Sequence, residues 1–146
     1  MTRRLAHLPW IVALFALLAG CEGNPVGRAC FIGADAAITT ENIVASPALE
    51  CQSRTCLHMA GQALGQADLC TGECGSDEDC DKVKESPCQS GFACVVPVVV
   101  GPFCCKKFCV CRDPGYLAAA PDGGFPVPAA CDPSNAANEC KNLSGR

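Results

Sequence analysis

Apolar positions are spread unevenly along this chain, and only the first group of them is continuous. From Leu8 to Ala19 the sequence runs apolar for twelve positions, interrupted only by Pro9. A hydrocarbon core takes roughly 20 apolar residues to cross, so this run reads as the hydrophobic region of a signal peptide, with Arg3 and Arg4 as its positive flank. Downstream the apolar groups are short. Ile38, Ile43 and Val44, with β-branched Thr39 and Thr40, predict one or two short strands between Phe31 and Leu57. Ser46-Pro47 breaks that stretch, and the small loop Cys51–Cys56 follows. Ala60 to Leu69 has helical composition, but Gly61 and Gly65 reduce it to a marginal turn or two. The runs Phe92–Val100 and Phe103–Val110, separated by Gly101-Pro102, predict a β-hairpin that buries Val96, Val98 and Phe108. Pro97 cannot donate to a ladder and points to an edge position or a bulge. Were Phe103–Cys111 extended, Cys105, Cys109 and Cys111 would share one face and Cys104 would take the other. Four prolines and three glycines in 112–130 mark a linker or irregular loop. Asp132-Pro133 then reads as an N-cap with proline at the first helical position, opening a short helix over 133–139 between Cys131 and Cys140.

Composition changes this picture in one respect. Removal of residues 1–20 would leave 126 residues (146 − 20), of which 24 are Leu, Ile, Val or Phe, about 19%. So thin an apolar content borders on that of disordered chains unless something else holds the fold. The 15 cysteines, about 12% of the same 126 residues, are that something. Without Arg3 and Arg4, 9 basic residues face 15 acidic ones, a net charge of 9 − 15 = −6. That balance excludes a phosphate-backbone binder, so no nucleic acid is expected as a partner. The short length and scarce periodic helix exclude a doubly wound nucleotide enzyme.

The end of the apolar run is specific. Leu18-Ala19-Gly20-Cys21 closely resembles the lipobox of bacterial lipoproteins. The resemblance implies cleavage between Gly20 and Cys21, diacylation of the Cys21 thiol and acylation of the new amino group. Small residues let the protease reach the backbone at the bilayer surface, and sulfur is the lipid acceptor. Arg3-Arg4 also suggests a twin-arginine signal, but Leu5-Ala6-His7 lacks the usual Phe-Leu, so the general secretory route is preferred. Glu22, where an aspartate would signal retention, points to outer-membrane sorting.

Setting Cys21 aside leaves Cys30, Cys51, Cys56, Cys70, Cys74, Cys80, Cys88, Cys94, Cys104, Cys105, Cys109, Cys111, Cys131 and Cys140. Fourteen is even, so seven disulfides would leave no thiol over, and the parity supports a separate role for Cys21. Zinc ribbons and redox motifs need Cys-x-x-Cys, and no two cysteines stand three positions apart. Disulfides in an oxidising envelope are therefore expected, with no metal and no cofactor. Their connectivity is not readable from the spacing. The expected organisation is a signal peptide (1–20), a lipidated tether (21–29), a cysteine-rich domain (30–111), a Pro/Gly/Ala-rich loop (112–130) and a C-terminal cysteine loop (131–146). The fold class is a small disulfide-rich, loop-rich, β-leaning domain with a central hairpin.

The succession Cys51-x-x-Arg54-x-Cys56-Leu57, Cys74-Gly-Ser-Asp-Glu-Asp-Cys80, Gly91-Phe92-x-Cys94 and Gly101-Pro-Phe-Cys-Cys-Lys-Lys-Phe-Cys-Val-Cys111-x-Asp113 resembles the cysteine-rich lipoproteins that myxobacteria encode in many copies. That family has few assigned functions, so the resemblance implies a location rather than an activity. Cys74–Cys80 and Cys104-Cys105 are also locally similar to four-disulfide-core modules of the whey-acidic-protein type, which implies protease inhibition as an alternative.

Candidate chemistry is sparse. Asp77, Asp79 and Asp81 fall at the first, third and fifth positions of a calcium loop, but Lys82 and Cys88 occupy the places that need Gly and Glu. A solvated acidic turn is the better reading. His58 would be the only histidine after processing, and no motif supplies it with a nucleophile. Lys106-Lys107, between Phe103 and Phe108, reads as lysine protection of an edge strand or as a basic-aromatic contact patch. Asn142-Leu143-Ser144 matches a glycosylation sequon by chance in a bacterial chain. The expectation is a non-catalytic protein of the bacterial envelope, lipid-anchored to the outer membrane. Its partners would be the membrane itself and an envelope or extracellular protein.

Overall fold

A computed structural model describes residues 26–33, 40–63, 65–117, 127–132, 134 and 140. Its strands are short. β1 (Ala29–Cys30), β2 (Ile43–Ala45), β3 (Cys56–His58) and β4 (Asp68–Cys70) form an antiparallel sheet in the order β1-β4-β3-β2. β5 (Phe92–Val95) and β6 (Phe108–Cys111) form the hairpin, in register from Phe92 opposite Cys111 to Val95 opposite Phe108. Helix occurs as three-residue 3-10 turns at Asp77–Asp79, Gly101–Phe103 and Ala129–Cys131. No described helix is long and apolar enough to cross a membrane. This is a small, disulfide-rich, β-leaning fold.

Local chemistry explains where the strands stop. β2 ends at Ser46-Pro47, because proline has no amide to give the ladder. The Ala60–Leu69 segment forms turns instead of helix, and its last two residues already belong to β4. β4 is followed by a stretch that crosses to the hairpin. Thr71 N–H donates to Thr55 O at 3.0 Å, Cys109 N–H to Gly72 O at 3.1 Å and Cys74 N–H to Lys107 O at 3.2 Å. One continuous stretch therefore joins the four-stranded sheet to the free side of β6.

The hairpin differs from its sequence reading in three respects. Its strands are half as long, because the backbone beyond Val95 has other partners. Asn42 Nδ2 donates to Pro97 O at 2.7 Å, and Cys105 N–H donates to Val98 O at 3.1 Å. Pro97 is consequently buried beyond the strand end, not at a ladder edge, while Val96 and Val98 are only half-buried. Cys104 and Cys105 lie in a turn, with Cys105 at φ 57°, so the face-sharing expected of an extended 103–111 holds only for Cys109 and Cys111 in β6.

The core extends beyond the hairpin. Phe108, Val110, Cys109 and Cys111 are 1% exposed, and Phe92 joins them. Leu57 and Leu69 from the first sheet, with Val26 and Met59 beside its strands, complete the same cluster, together with Tyr116. Gly27 beside Val26 has φ 93°, and a Cβ there would stand 2.6 Å from the Phe92 ring. Only glycine allows the chain to enter so close to that ring. The first residues of the 112–130 loop are packed as well. Arg112 Nε donates to Phe92 O, the Asp113 carboxylate accepts from the amides of Gln89 and Ser90 at 2.7 Å each, and Tyr116 Oη donates to Ala67 O at 2.8 Å. Asp132 Oδ1 accepts from the Ser134 amide at 2.8 Å, as a cap would, but the helix expected over 133–139 lies outside the described residues.

Candidate functional site

The cysteines dominate the chemistry of the chain, and the fold pairs all fourteen. Cys30–Cys56 and Cys51–Cys70 clasp the first sheet. Cys74–Cys94, Cys80–Cys109 and Cys88–Cys111 hold the hairpin. These three interleave: in chain order the first of the six cysteines pairs with the fourth, the second with the fifth and the third with the sixth. Cys104–Cys140 and Cys105–Cys131 fasten the C-terminal part to the tip of the hairpin connection. Cys109 and Cys111 sit two apart on β6, so their side chains leave the same face and collect Cys80 and Cys88 there. Some sulfurs gather in threes, such as Cys74, Cys80 and Cys109, but each is bonded to another sulfur, and a disulfide offers no thiolate to a metal. The two segments that resemble the four-disulfide-core module are not bonded to each other: Cys74 and Cys80 reach Cys94 and Cys109, and the adjacent pair reaches Cys140 and Cys131.

The acidic turn serves the framework. Asp79 Oδ2 accepts from the amides of Gly75 and Ser76 at 2.8 and 2.9 Å, and these bonds hold its carboxyl below the usual range. Asp77 Oδ1 accepts from the Cys94 amide at 2.7 Å, and its other oxygen pairs with Arg112. Both carboxylates thus point into the protein's own backbone, tying the 3-10 turn to β5.

His58 is buried, as is its partner. Its Nδ1 lies 2.7 Å from Asp68 Oδ1, and both side chains are 6% exposed. β3 and β4 pair Leu57 with Leu69, so His58 and Asp68 fall opposite each other one step along the ladder. The sequence carried no local sign of this pair, because ten residues separate its members and only strand pairing brings them together. Among the described residues no serine, threonine or cysteine side chain hydrogen-bonds the imidazole, so the geometry is that of a satisfied buried pair. Nearby, burial first and then the charges of Asp113 and Asp68 raise the Tyr116 phenol above its ordinary range.

Lys106 is half-buried rather than free at an edge. Its ammonium pairs with Glu73 and lies 6.0 Å from the Phe103 ring centre, while Phe103 and Phe108 meet edge to face at 5.7 Å. Lys107 is exposed. Beside the hairpin connection a cavity of about 300 Å³ opens between Glu41, Asn42 and Pro97–Val100. Apart from Glu41 and Asn42 its walls are apolar, and they hold no nucleophile or cluster of titratable groups.

Comparison of the chain with models of known protein families, with characterised proteins and with solved structures finds no match. The chemistry of this chain is therefore read from its own residues. They form a disulfide-stapled β module whose polar side chains mostly brace its own backbone.

Proposed function

We propose that this chain is a lipid-anchored protein of the bacterial envelope that acts by binding or by structural presence rather than by catalysis. The observation that carries the reading is the closed set of bridges. All fourteen cysteines from Cys30 to Cys140 pair among themselves, which leaves the Cys21 sulfur available to take a diacylglyceryl group. The lipobox-like Leu18-Ala19-Gly20-Cys21 supplies the local chemistry for it. Two or three acyl chains hold a protein on a bilayer, whereas one holds it only marginally. The non-catalytic part rests on the side chains described above: carboxylates engaged by backbone amides, a histidine satisfied by a buried aspartate and an apolar cavity without a nucleophile. The outer membrane is the site proposed, from Glu22.

The test is the mass of the mature protein before and after thiol alkylation. An acylated chain beginning at Cys21, with no alkylated thiol until reduction, is the expected result. Cys21→Ala should leave the signal uncut or release the chain in soluble form. A Cys21→Ala variant that matures and stays on the membrane refutes the anchor.

A further inference from the structure

Phe31 and Leu49 are 70% and 74% exposed, the two most exposed large apolar side chains described. They occupy one margin of the first sheet. The Phe31 amide donates to Glu50 Oε1 at 3.0 Å, and Glu50 directly follows Leu49. This margin is rigid. Beneath it Ala48, Cys51, Cys56 and Cys70 form a separate small core with Cys30 and Ile32 against it, closed by the Cys30–Cys56 and Cys51–Cys70 bridges. Two exposed cations flank it. Arg28 leads into β1, and Arg54 accepts the Ala48 amide on its carbonyl at 2.8 Å. Neither arginine has an ion pair among the described residues. The Glu50 carboxylate at this margin is engaged by the Phe31 amide.

Chain length says what covers this margin. From Cys21 to Val26 there are five residue steps, at most about 18 Å. Val26 is fully buried, so the tether leaves the protein at a fixed point. From there the chain runs along β4 to Phe31, with Gly27 N–H donating to Cys70 O at 2.8 Å and Cys30 opposite Asp68. Five extended steps cover about 16 Å. The tether's reach of at most about 18 Å is therefore comparable with the length of the β1 edge, and a lipid on Cys21 holds the Val26 end of this edge near the headgroups.

We infer that Phe31 and Leu49 insert into the interface of the bilayer that holds Cys21, with the β1 edge along the headgroups and Arg28 and Arg54 facing anionic lipid. The inference rests on the lipid-anchor reading. Apolar tips beside cations are what a hydrated, anionic interface accepts, and a second weak contact orients what the acyl chains hold. Only side chains enter the apolar region, so the backbone of the β1 edge stays among hydrated headgroups.

The only tryptophan in the sequence is Trp10, so a processed chain carries none and a single substitution provides a reporter. Full-length variants Phe31→Trp, Leu49→Trp and Val100→Trp are expressed and taken from membranes. They are then reconstituted into phosphatidylethanolamine vesicles containing a minority of phosphatidylglycerol. Val100 is the control. It is 62% exposed and lies by the β2 side of the sheet, three strand spacings or about 14 Å from β1. All three replaced side chains are exposed, so folding should be unaffected.

Flotation with the vesicles reads the anchor, and quenching by acyl-brominated lipid reads depth. The expected result is co-flotation, with blue-shifted and lipid-quenched emission for Phe31→Trp and Leu49→Trp but not for Val100→Trp. Co-flotation with Phe31→Trp as red and unquenched as Val100→Trp overturns the inference and leaves the anchor standing. A blue shift without lipid quenching also overturns it, because a second copy of the chain is then the cover. Failure to float overturns the anchor, and the membrane contact with it.

Discussion

Two bridges of unequal loop length separate the two ways in which a disulfide stabilises a fold. Cys88–Cys111 closes a separation of 23 residues and Cys104–Cys140 one of 36. Loop-closure entropy alone assigns about 3.4 kcal/mol to the first and about 3.8 kcal/mol to the second, so the longer loop should matter more. Burial reverses the order. Cys88 and Cys111 are 0% and 1% exposed within the main core, whereas Cys104 is 6% exposed and Cys140 half-buried. Replacing both members of a pair by alanine leaves no stray thiol but removes two sulfurs. In a closed core each vacated site costs on the order of 1 kcal/mol, as for a deleted methylene. Cys88→Ala/Cys111→Ala should then lose about 5 kcal/mol and Cys104→Ala/Cys140→Ala about 4 kcal/mol. Urea unfolding of the oxidised chain from Glu22 onward, followed by near-UV circular dichroism, measures both losses. Thermal midpoints provide a second measure, in which a difference of 1 kcal/mol appears as several degrees. If the Cys104/Cys140 variant is the less stable one by both measures, chain entropy outweighs burial here and the reasoning fails.

Three further outcomes follow from the packing. Phe108→Ala should cost about 3–5 kcal/mol in the same unfolding experiment, whereas Val98→Ala, at a half-buried position, should cost under about 1.5 kcal/mol; equal losses would place the core wrongly. Gly27→Ala should destabilise by more than the ~1 kcal/mol typical of a point mutation, since it adds left-handed strain to a clash with the Phe92 ring, and a variant with an unchanged denaturation midpoint contradicts this. Asp79 and Asp113 have folded-state pKa values below their unfolded ones: backbone amides dominate for Asp79, while at Asp113 the bonds from Gln89 and Ser90 and the charge of Lys82 outweigh burial. Their stabilisation is present above the unfolded value near pH 4 and is lost as pH falls through the folded values, so acid titration should show decreasing stability only below about pH 4. Constant stability down to pH 2 would mean that these bonds contribute nothing.

The parts of the fold that were legible in sequence are those set by local chemistry. The runs Phe92–Val100 and Phe103–Val110 read as paired strands because β-branched and aromatic residues favour a pleated, half-buried surface, and the strands Phe92–Val95 and Phe108–Cys111 form in them, the second running one residue past Val110. The strand ends were not legible, because they depend on partners elsewhere in the chain: Asn42 Nδ2 takes the Pro97 carbonyl, and the Cys105 amide takes the Val98 carbonyl. Val98 reads as core by hydropathy but lines a cavity, since the chain turns away at the Gly101–Phe103 turn. His58 reads as an isolated imidazole until β3 and β4 pair and set Asp68 opposite it.

By itself the sequence determined the kind of stability this chain uses. A thin apolar content beside fourteen cysteines requires covalent staples, because burial alone cannot offset the entropy of the chain. It also set fourteen cysteines from Cys30 onward, an even number, and the four residues at Cys21 that resemble a lipobox. Tertiary structure alone decided which sulfur meets which. A bridge forms only where two Cα atoms come within about 4.4–6.8 Å with their Cβ atoms facing, and spacing along the chain does not report that distance. Here the seven separations run from 5.3 to 6.1 Å, set by strand register and by the stretch that carries β4 across to β6. Adjacent Cys104 and Cys105 therefore reach different partners, and Cys109 and Cys111, two apart on one strand face, bind the chain at the acidic turn's exit (Cys80) and further along it (Cys88).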